Sequence, residues 1–299
     1  MLTGTQVAFI GGDARQLEVI GRMTELDATV TLIGFDNLGQ SFSGATHAEL
    51  TGEALAGADA VLLPVAGTDD EGKVEAIFTS KELRLTSECL AQLPRHAKIY
   101  AGFAKPYLRN LCAERQIGLV ELLDRDDVAI YNSIPTAEGA LMLAMQHTDT
   151  TIHGSNSVVL GFGRTGMTMA RTLQAIGAKV SVGVRRAEHY ARVYEMGFTP
   201  FYTSELQERV ADADLIFNTV PSLIVTAAVI AALPPRAVII DLASKPGGTD
   251  FRYAERRGIK AILAPGLPGI VAPKTAGKII ASVVSQLIME DSAKRGKGE

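Results

Sequence analysis

Cysteine is nearly absent: Cys89 and Cys112 are the only two in 299 residues. They lie in separate stretches with no paired-ligand spacing, the pattern of idle thiols in a reducing compartment. The five histidines, at 47, 96, 147, 153 and 189, also lack ligand spacing, so no metal site is expected. No apolar run has the length of a transmembrane helix, and Met1-Leu2-Thr3-Gly4 leads into a strand pattern, not a signal peptide. A formal net charge of −4 gives no electrostatic case for a nucleic-acid or membrane-surface partner. No short repeat is visible. The remaining class is a globular α/β protein, expected in the cytoplasm. Its 47% hydrophobic and 21% charged residues are ordinary for that class, and its length allows two domains with separate cores.

The most informative stretch is Ser157-Val158-Val159-Leu160-Gly161-Phe162-Gly163-Arg164-Thr165-Gly166. An apolar strand runs into Gly-x-Gly-x-x-Gly, and a helix follows with Met169, Leu173 and Ile176 on one face. In such a turn the first glycine allows the sharp bend, the second admits a pyrophosphate, and the third lets helix and strand pack closely. The helix start then offers free N–H groups and a positive dipole end to the anion. A second strand, Ala178–Val184, ends in Val184-Arg185-Arg186. NAD enzymes place a carboxylate there for the ribose hydroxyls, whereas guanidinium groups grip a 2′-phosphate. NADP is therefore the expected cofactor. Phe162, Arg164 and Thr165 complete the phosphate loop.

In the first half, Gln6–Ile10 is a strand, and Gly11-Gly12-Asp13-Ala14-Arg15 turns it into a helix reaching about Leu26. Further strands are predicted at Thr29–Ile33, Asp59–Pro64, Lys98–Ala101 and Leu119–Leu122, with helices at Ser80–Gln92 and Pro106–Arg115. Gly11-Gly12 lacks a correctly spaced third glycine, so this half is assigned to substrate. The run Asn132-Ser133-Ile134-Pro135-Thr136-Ala137-Glu138 reads as a helix start, with cap-forming residues and then proline in the first turn. The second half continues with strands at Thr199–Tyr202, Asp214–Pro221, Ala237–Leu242 and Ile259–Leu263. Ala276, Ile279, Ile280, Val283 and Leu287 mark one face of a final helix.

The predicted architecture is α/β, with two doubly wound αβα domains and the substrate cleft between them. The first is a substrate or partner domain at 1–131, followed by a bridging helix at 132–150. A Rossmann domain at 151–275 comes next. A C-terminal helix at 276–291 packs back on the first domain, and 292–299 is a frayed tail.

Candidate ligand residues fall at strand ends and helix starts. Arg15, inside the first helix, and Lys105, after the strand ending at Ala101, are candidates for binding carboxylates. Ser133 and Thr136 offer hydroxyls, Glu138 can move a proton, and Lys245 can hold a carboxylate or polarise a leaving hydroxyl. Each also has a plain structural reading: a surface charge for Arg15 and Lys105, a cap for Ser133, and a dipole-complementing glutamate for Glu138. Asn218, Thr219, Val220 and Pro221 close a strand where the nicotinamide ribose should pass, and Ala243, Leu267 and Pro268 lie at the next two strand ends. Asp69 and Asp70 sit on a first-domain loop suited to closure over substrate or simply to solvent.

Four stretches together with the fingerprint carry a family resemblance. They are Gly11–Gln16, Asn132–Gly139, Asp241–Asp250 and Gly266–Gly277. Over nearly its whole length the chain resembles the family of dipicolinate synthase subunits of the A type. The resemblance implies oxidation of 4-hydroxy-tetrahydrodipicolinate, a lysine-pathway intermediate, to pyridine-2,6-dicarboxylate, the calcium-chelating acid of bacterial spores. It also implies NADP as hydride acceptor and a smaller, flavoprotein-like B-type subunit of dipicolinate synthase as partner, and a homo-oligomer is expected. Two other readings stand beside it. Gly269–Thr275 is similar to a turn of methylenetetrahydrofolate dehydrogenases, although their Tyr-x-x-x-Lys pattern is missing, and Asn218–Pro221 looks like the corresponding turn of shikimate dehydrogenases. A non-catalytic NADP(H) sensor or scaffold is also open, since no single acid–base residue stands out.

Overall fold

Apolar runs separated by amphipathic helices form two six-stranded parallel sheets. The computed structural model describes residues 1–296, and the chain divides into two units, one formed by residues 1–128 with those from 273 onward, the other by 129–272. The first unit contains β1 (Gln6–Ile10), α1 (Ala14–Glu25), β2 (Thr29–Ile33), β3 (Ala45–Ala48), α2 (Gly52–Leu55) and β4 (Ala60–Leu62). Then come β5 (Lys73–Val74), β6 (Leu83–Arg84), β7 (Lys98–Ala101), α3 (Pro106–Arg115) and β8 (Gly118–Glu121). The chain crosses between units inside α4 (Asp126–His147).

The second unit contains β9 (Asn156–Leu160), α5 (Arg164–Ala175), β10 (Lys179–Val184), α6 (Ala187–Glu195), β11 (Thr199–Tyr202) and α7 (Leu206–Arg209). It continues through β12 (Leu215–Asn218), α8 (Ala227–Ala232), β13 (Val238–Asp241), α9 (Phe251–Arg257), β14 (Lys260–Leu263) and α10 (Leu267–Val271). The chain returns to the first unit at α11 (Pro273–Gly296). The crossings at 128/129 and 272/273 compare with 131 and 275 expected from the sequence.

The sheet orders are β3-β2-β1-β4-β7-β8 and β11-β10-β9-β12-β13-β14. Both reverse direction at their first strand, the switch point where such sheets open a crevice at the carboxyl ends. In the second sheet, Leu160, Asn218 and Asp241 align across that edge. The central strands β1, β4, β9, β12 and β13 are buried on both faces, as parallel sheets require. Val159, Val182, Phe217 and Ile240 face one apolar cluster, and Val158, Ile216 and Ile239 face the other.

The C-terminal helix completes the first unit. Ile280, Ala281, Val284 and Ile288 of α11 share a buried cluster with Val19, Ile20 and Met23 of α1. The helices approach closely at Gly277, where an added Cβ would lie 2.5 Å from the Arg15 carbonyl oxygen. Gly277→Val is expected to destabilise the first unit by about 1–3 kcal/mol through overpacking, measured by chemical denaturation. Farther along, Asp291 accepts from Lys98 Nζ at 2.7 Å and Tyr100 Oη at 3.1 Å. Burial and the Asp291 charge push the Tyr100 phenol well above its ordinary range.

Three expectations are corrected. Ser80–Gln92 is not a helix: Leu83 and Leu85 alternate inward around the short strand β6, and turns follow. The helix expected to start at Asn132 starts at Asp126 and passes through Pro135. Asn132 is therefore an interior residue and Glu138 lies beyond the first turn. The tail from Ser292 is helical to Gly296, and residues 297–299 lie outside the described residues.

Candidate cofactor site

The glycine loop occupies the switch point of the second sheet. Gly161 turns the chain at φ +90°, and an added Cβ would lie 2.6 Å from Thr219 Oγ1. At Gly166 a Cβ would collide with the Gly161 carbonyl oxygen. Those two glycines are required by protein packing. Gly163 differs, because a Cβ there would meet nothing within 4 Å. It is the N-cap of α5 and has no side-chain cap, so the first helical N–H groups remain for a ligand. A crevice of about 390 Å³ opens here, lined by Gly161–Thr165 on one side, Val184–Arg186 and Thr203 on another, and Thr219–Pro221 on a third. This space and donor set fit the pyrophosphate of a dinucleotide.

The individual side chains divide by role. Phe162 contributes its backbone: its ring is buried and packs edge-on to Phe198. Thr219 Oγ1 donates to the Leu160 carbonyl at 2.8 Å, which pins β12 to β9 beneath the loop. Asn218 is fully buried, and its amide exchanges two 3.0 Å hydrogen bonds with the Val220 backbone. It shapes the loop, and Thr219, Val220 and Pro221 line the crevice. Ala243 and Leu267 are buried, and neither they nor Pro268 line the crevice.

Arg185 and Arg186 are exposed at the end of β10, with Val184 in the position where NAD enzymes place an acid. Arg186 is already engaged: its Nε is 3.1 Å from Glu188 and its Nη2 donates to His189 Nε2 at 2.5 Å. Arg185 has no ion-pair partner among the described residues. Gly183, His189, Thr203 and Ile224 line the crevice without having been expected there, and Thr203 is the one from another strand end. It follows a different strand, β11, so only strand order reveals it.

Lys245 is exposed on the loop after β13. That loop is held by the buried carboxylate of Asp241, which accepts from Ala243 N at 3.0 Å, Gly248 N at 2.9 Å and Thr249 Oγ1 at 2.6 Å. Ser133, in contrast, is 1% exposed; its hydroxyl lies 2.6 Å from both the Ile130 carbonyl and Thr168 Oγ1. Thr136 Oγ1 donates to the Asn132 carbonyl at 2.7 Å. Both hydroxyls already have partners within α4 and at its contact with α5. Glu138 is exposed on another face of α4.

The first unit has its own switch point, but its protein fills it. Gly12 N donates to the Glu75 carbonyl at 2.8 Å, Ile77 N donates to the Gly12 carbonyl at 3.1 Å, and a Cβ on Gly11 would lie 2.6 Å from Glu75 O. Segment 74–77 thus occupies the place that the second unit leaves open. Beside it, Arg15 pairs with Asp13, with Nε 3.0 Å from both carboxylate oxygens and Nη2 at 2.5 Å from Oδ2. Burial would raise the Asp13 carboxyl, but the Arg15 hydrogen bonds and charge outweigh it and hold the pKa low. Lys105 makes a surface pair with Asp70 at 3.0 Å, while Asp69 caps the turn by accepting from Glu71 N and Lys73 N.

Residues 6–123 match the family described as the N-terminal domain of the dipicolinate synthase A-type subunit. Residues 135–244 match the family described as D-isomer specific 2-hydroxyacid dehydrogenase, NAD binding domain. The A-type dipicolinate synthase subunit of Bacillus subtilis (strain 168) is 53% identical over 297 residues, 99% of this chain and 100% of that protein. The crystal structure of its counterpart from Bacillus halodurans superposes with a TM-score of 0.94 at 52% identity, covering 96% of this chain and 99% of that one. The crystal structure of the Bacillus subtilis dipicolinate synthase chain gives 0.95 at 53% identity, covering 98% and 99%. A transhydrogenase from Sinorhizobium meliloti shares the fold alone, with a TM-score of 0.65 at 16% identity over 94% of each chain.

Proposed function

The chain belongs to the family of A-type dipicolinate synthase subunits, and from that premise we propose that it converts 4-hydroxy-tetrahydrodipicolinate to dipicolinate with NADP, together with a B-type subunit. Loss of water gives a dihydropyridine dicarboxylate. Removal of a hydride and a proton then gives the aromatic pyridine, and aromaticity drives the step. NADP supplies the hydride acceptor. The chain's residues bind, orient and move protons. Arg15 takes a substrate carboxylate through the N–H groups that Asp13 leaves free, and Lys105 serves as a second cation. Lys245 donates a proton to the departing hydroxyl from a loop held by Asp241.

The observation that carries this reading is the match to the Bacillus subtilis protein over 99% of the chain, joined to a glycine cradle that has room for pyrophosphate. NADP is preferred to NAD because Arg185 is uncommitted at the end of β10 and Val184 stands where an acid would repel a 2′-phosphate. Arg185→Ala is expected to weaken NADPH binding about tenfold or more while changing NADH binding little. Parallel titrations of both cofactors measure the ratio. Equal losses for the two would assign Arg185 to something other than the 2′-phosphate.

The reaction is tested by mixing the chain with NADP and freshly generated 4-hydroxy-tetrahydrodipicolinate, with and without the B-type partner. The NADPH and dipicolinate absorbances should rise together. If neither rises although NADPH binds, the oxidoreductase reading is lost and a sensor or scaffold role replaces it.

A further inference from the structure

Among the described residues, one buried side-chain oxygen or nitrogen has no hydrogen-bond partner: Oδ1 of Asn132. Its amide nitrogen has no protein partner among them either, but that atom is not buried. Buried polar atoms are nearly always satisfied, so an uncommitted carboxamide inside a helix needs an explanation. Asparagine is a poor helix former, and six residues into α4 it caps nothing.

It does not line the crevice, but its neighbours lie close to the glycine loop. The next residue, Ser133, contacts Thr168, one turn into the helix that follows the glycine loop. Asn132, Thr136 and Gly139 share a face of α4 at intervals of four and three. At Gly139 that face meets α10, where an added Cβ would lie 3.0 Å from Leu267 Cβ and 3.2 Å from Val271 Cγ1. Farther along, Ala137, Ala140 and Ala144 join the apolar cluster that contains Phe217 of β12 and Ile240 of β13. Asn132 therefore stands near the start of α5, on a helix that packs between α5 and α10. A dinucleotide bound across the switch point places its two halves on the two halves of the sheet. Arg185 and Arg186 mark β10 as the adenosine side, which leaves β12–β14 for the nicotinamide. The hydroxyl bonds of Ser133 and Thr136 hold the helix on either side of Asn132, so its position is preorganised.

We propose that the Asn132 carboxamide pairs with the carboxamide of the nicotinamide ring and fixes the ring's orientation. Each amide offers an N–H donor and a carbonyl acceptor, so the two are mutually complementary. Rotation about χ2 presents either end of the Asn132 amide. The inference rests on the dinucleotide reading above and identifies which residue holds the reactive end.

The test compares NADP with 2′-phospho-ADP-ribose, which lacks the nicotinamide, by calorimetric titration. Asn132→Ala should weaken NADP about tenfold and change the fragment by less than about twofold. Unchanged fragment binding also shows that the second unit is folded. Asn132→Asp keeps the shape but turns a negative oxygen toward the ring carbonyl, and should show the same selective loss. Equal losses for both ligands, or none for either, overturn the role of Asn132. If the wild-type chain binds neither ligand, the dinucleotide reading itself fails and this inference falls with it.

Discussion

Gly163→Val is expected to leave the melting temperature within about 2 °C of the unsubstituted chain and to weaken NADPH binding at least about a hundredfold. The two halves of that result have separate causes. The Gly163 backbone sits at φ −85° and ψ −163°, which any residue adopts, and a Cβ there meets no protein atom within 4 Å. The fold has no reason to object. The empty volume lies at the start of α5, where the pyrophosphate must touch the backbone, so the added methyl groups exclude the ligand. Gly166→Val provides the contrast. Its Cβ runs into the Gly161 carbonyl, so both stability and binding should fall. Thermal melts and NADPH titrations on the two variants separate a glycine kept for the ligand from one kept for packing. Near-normal binding by Gly163→Val would move the cofactor away from this loop.

Asp241→Ala should have the largest effect on stability, a loss of about 3–5 kcal/mol and a fall in melting temperature of roughly 10 °C or more. The carboxylate is fully buried, and its removal strands two backbone N–H groups and the Thr249 hydroxyl. The damage spreads to the cofactor crevice. Gly248, which Asp241 holds, accepts at its carbonyl from Ile224 N at 3.0 Å and Val225 N at 2.9 Å. A Cβ on Gly248 would strike the Val220 carbonyl, so the loops after β12 and β13 interlock. NADPH binding should therefore weaken along with stability. Lys245→Ala, an exposed substitution on the same loop, should leave the melting temperature unchanged and reduce turnover. Calorimetry and turnover measured on the pair distinguish the residue that holds the loop from the one proposed to act, and unchanged turnover in Lys245→Ala would remove that role.

The second unit is largely legible in the sequence because its strands are continuous apolar runs and its glycine loop has a fixed spacing. The end of β9 at Leu160 follows from those runs, whereas β12 and β13 stop at Asn218 and Asp241, short of the expected Pro221 and Leu242. Much of the first unit's sheet is legible for the same reason, but segment 74–77 is not. Nothing local in Val74-Glu75-Ala76-Ile77 signals that it will cover the end of β1, since that contact depends on topology. The stretch at 80–92 shows how leucines can mimic a helical face when Leu83 and Leu85 in fact turn inward around the two-residue strand β6. Around α4 the difference is one of register. Asn132, Ser133 and Pro135 form a convincing helix start, yet the helix begins at Asp126 with two acids in its first turn. With the boundary misplaced, the hydroxyls of Ser133 and Thr136 look free, although they bond to nearby backbone carbonyls. The Asn132 amide, which has no partner, looks like an ordinary cap.

The division of the first unit between 1–128 and the segment from 273 also sets an order of events during synthesis. The ribosome delivers α1 early, but the helix that covers its apolar side comes after the whole of 129–272. At roughly 5–20 residues per second, Val19, Ile20 and Met23 wait about 13–52 s for Ile280 and Val284. The unit that starts first is thus finished last, and the nascent chain carries a completed second unit while its amino-terminal half still presents a bare hydrophobic flank to chaperones.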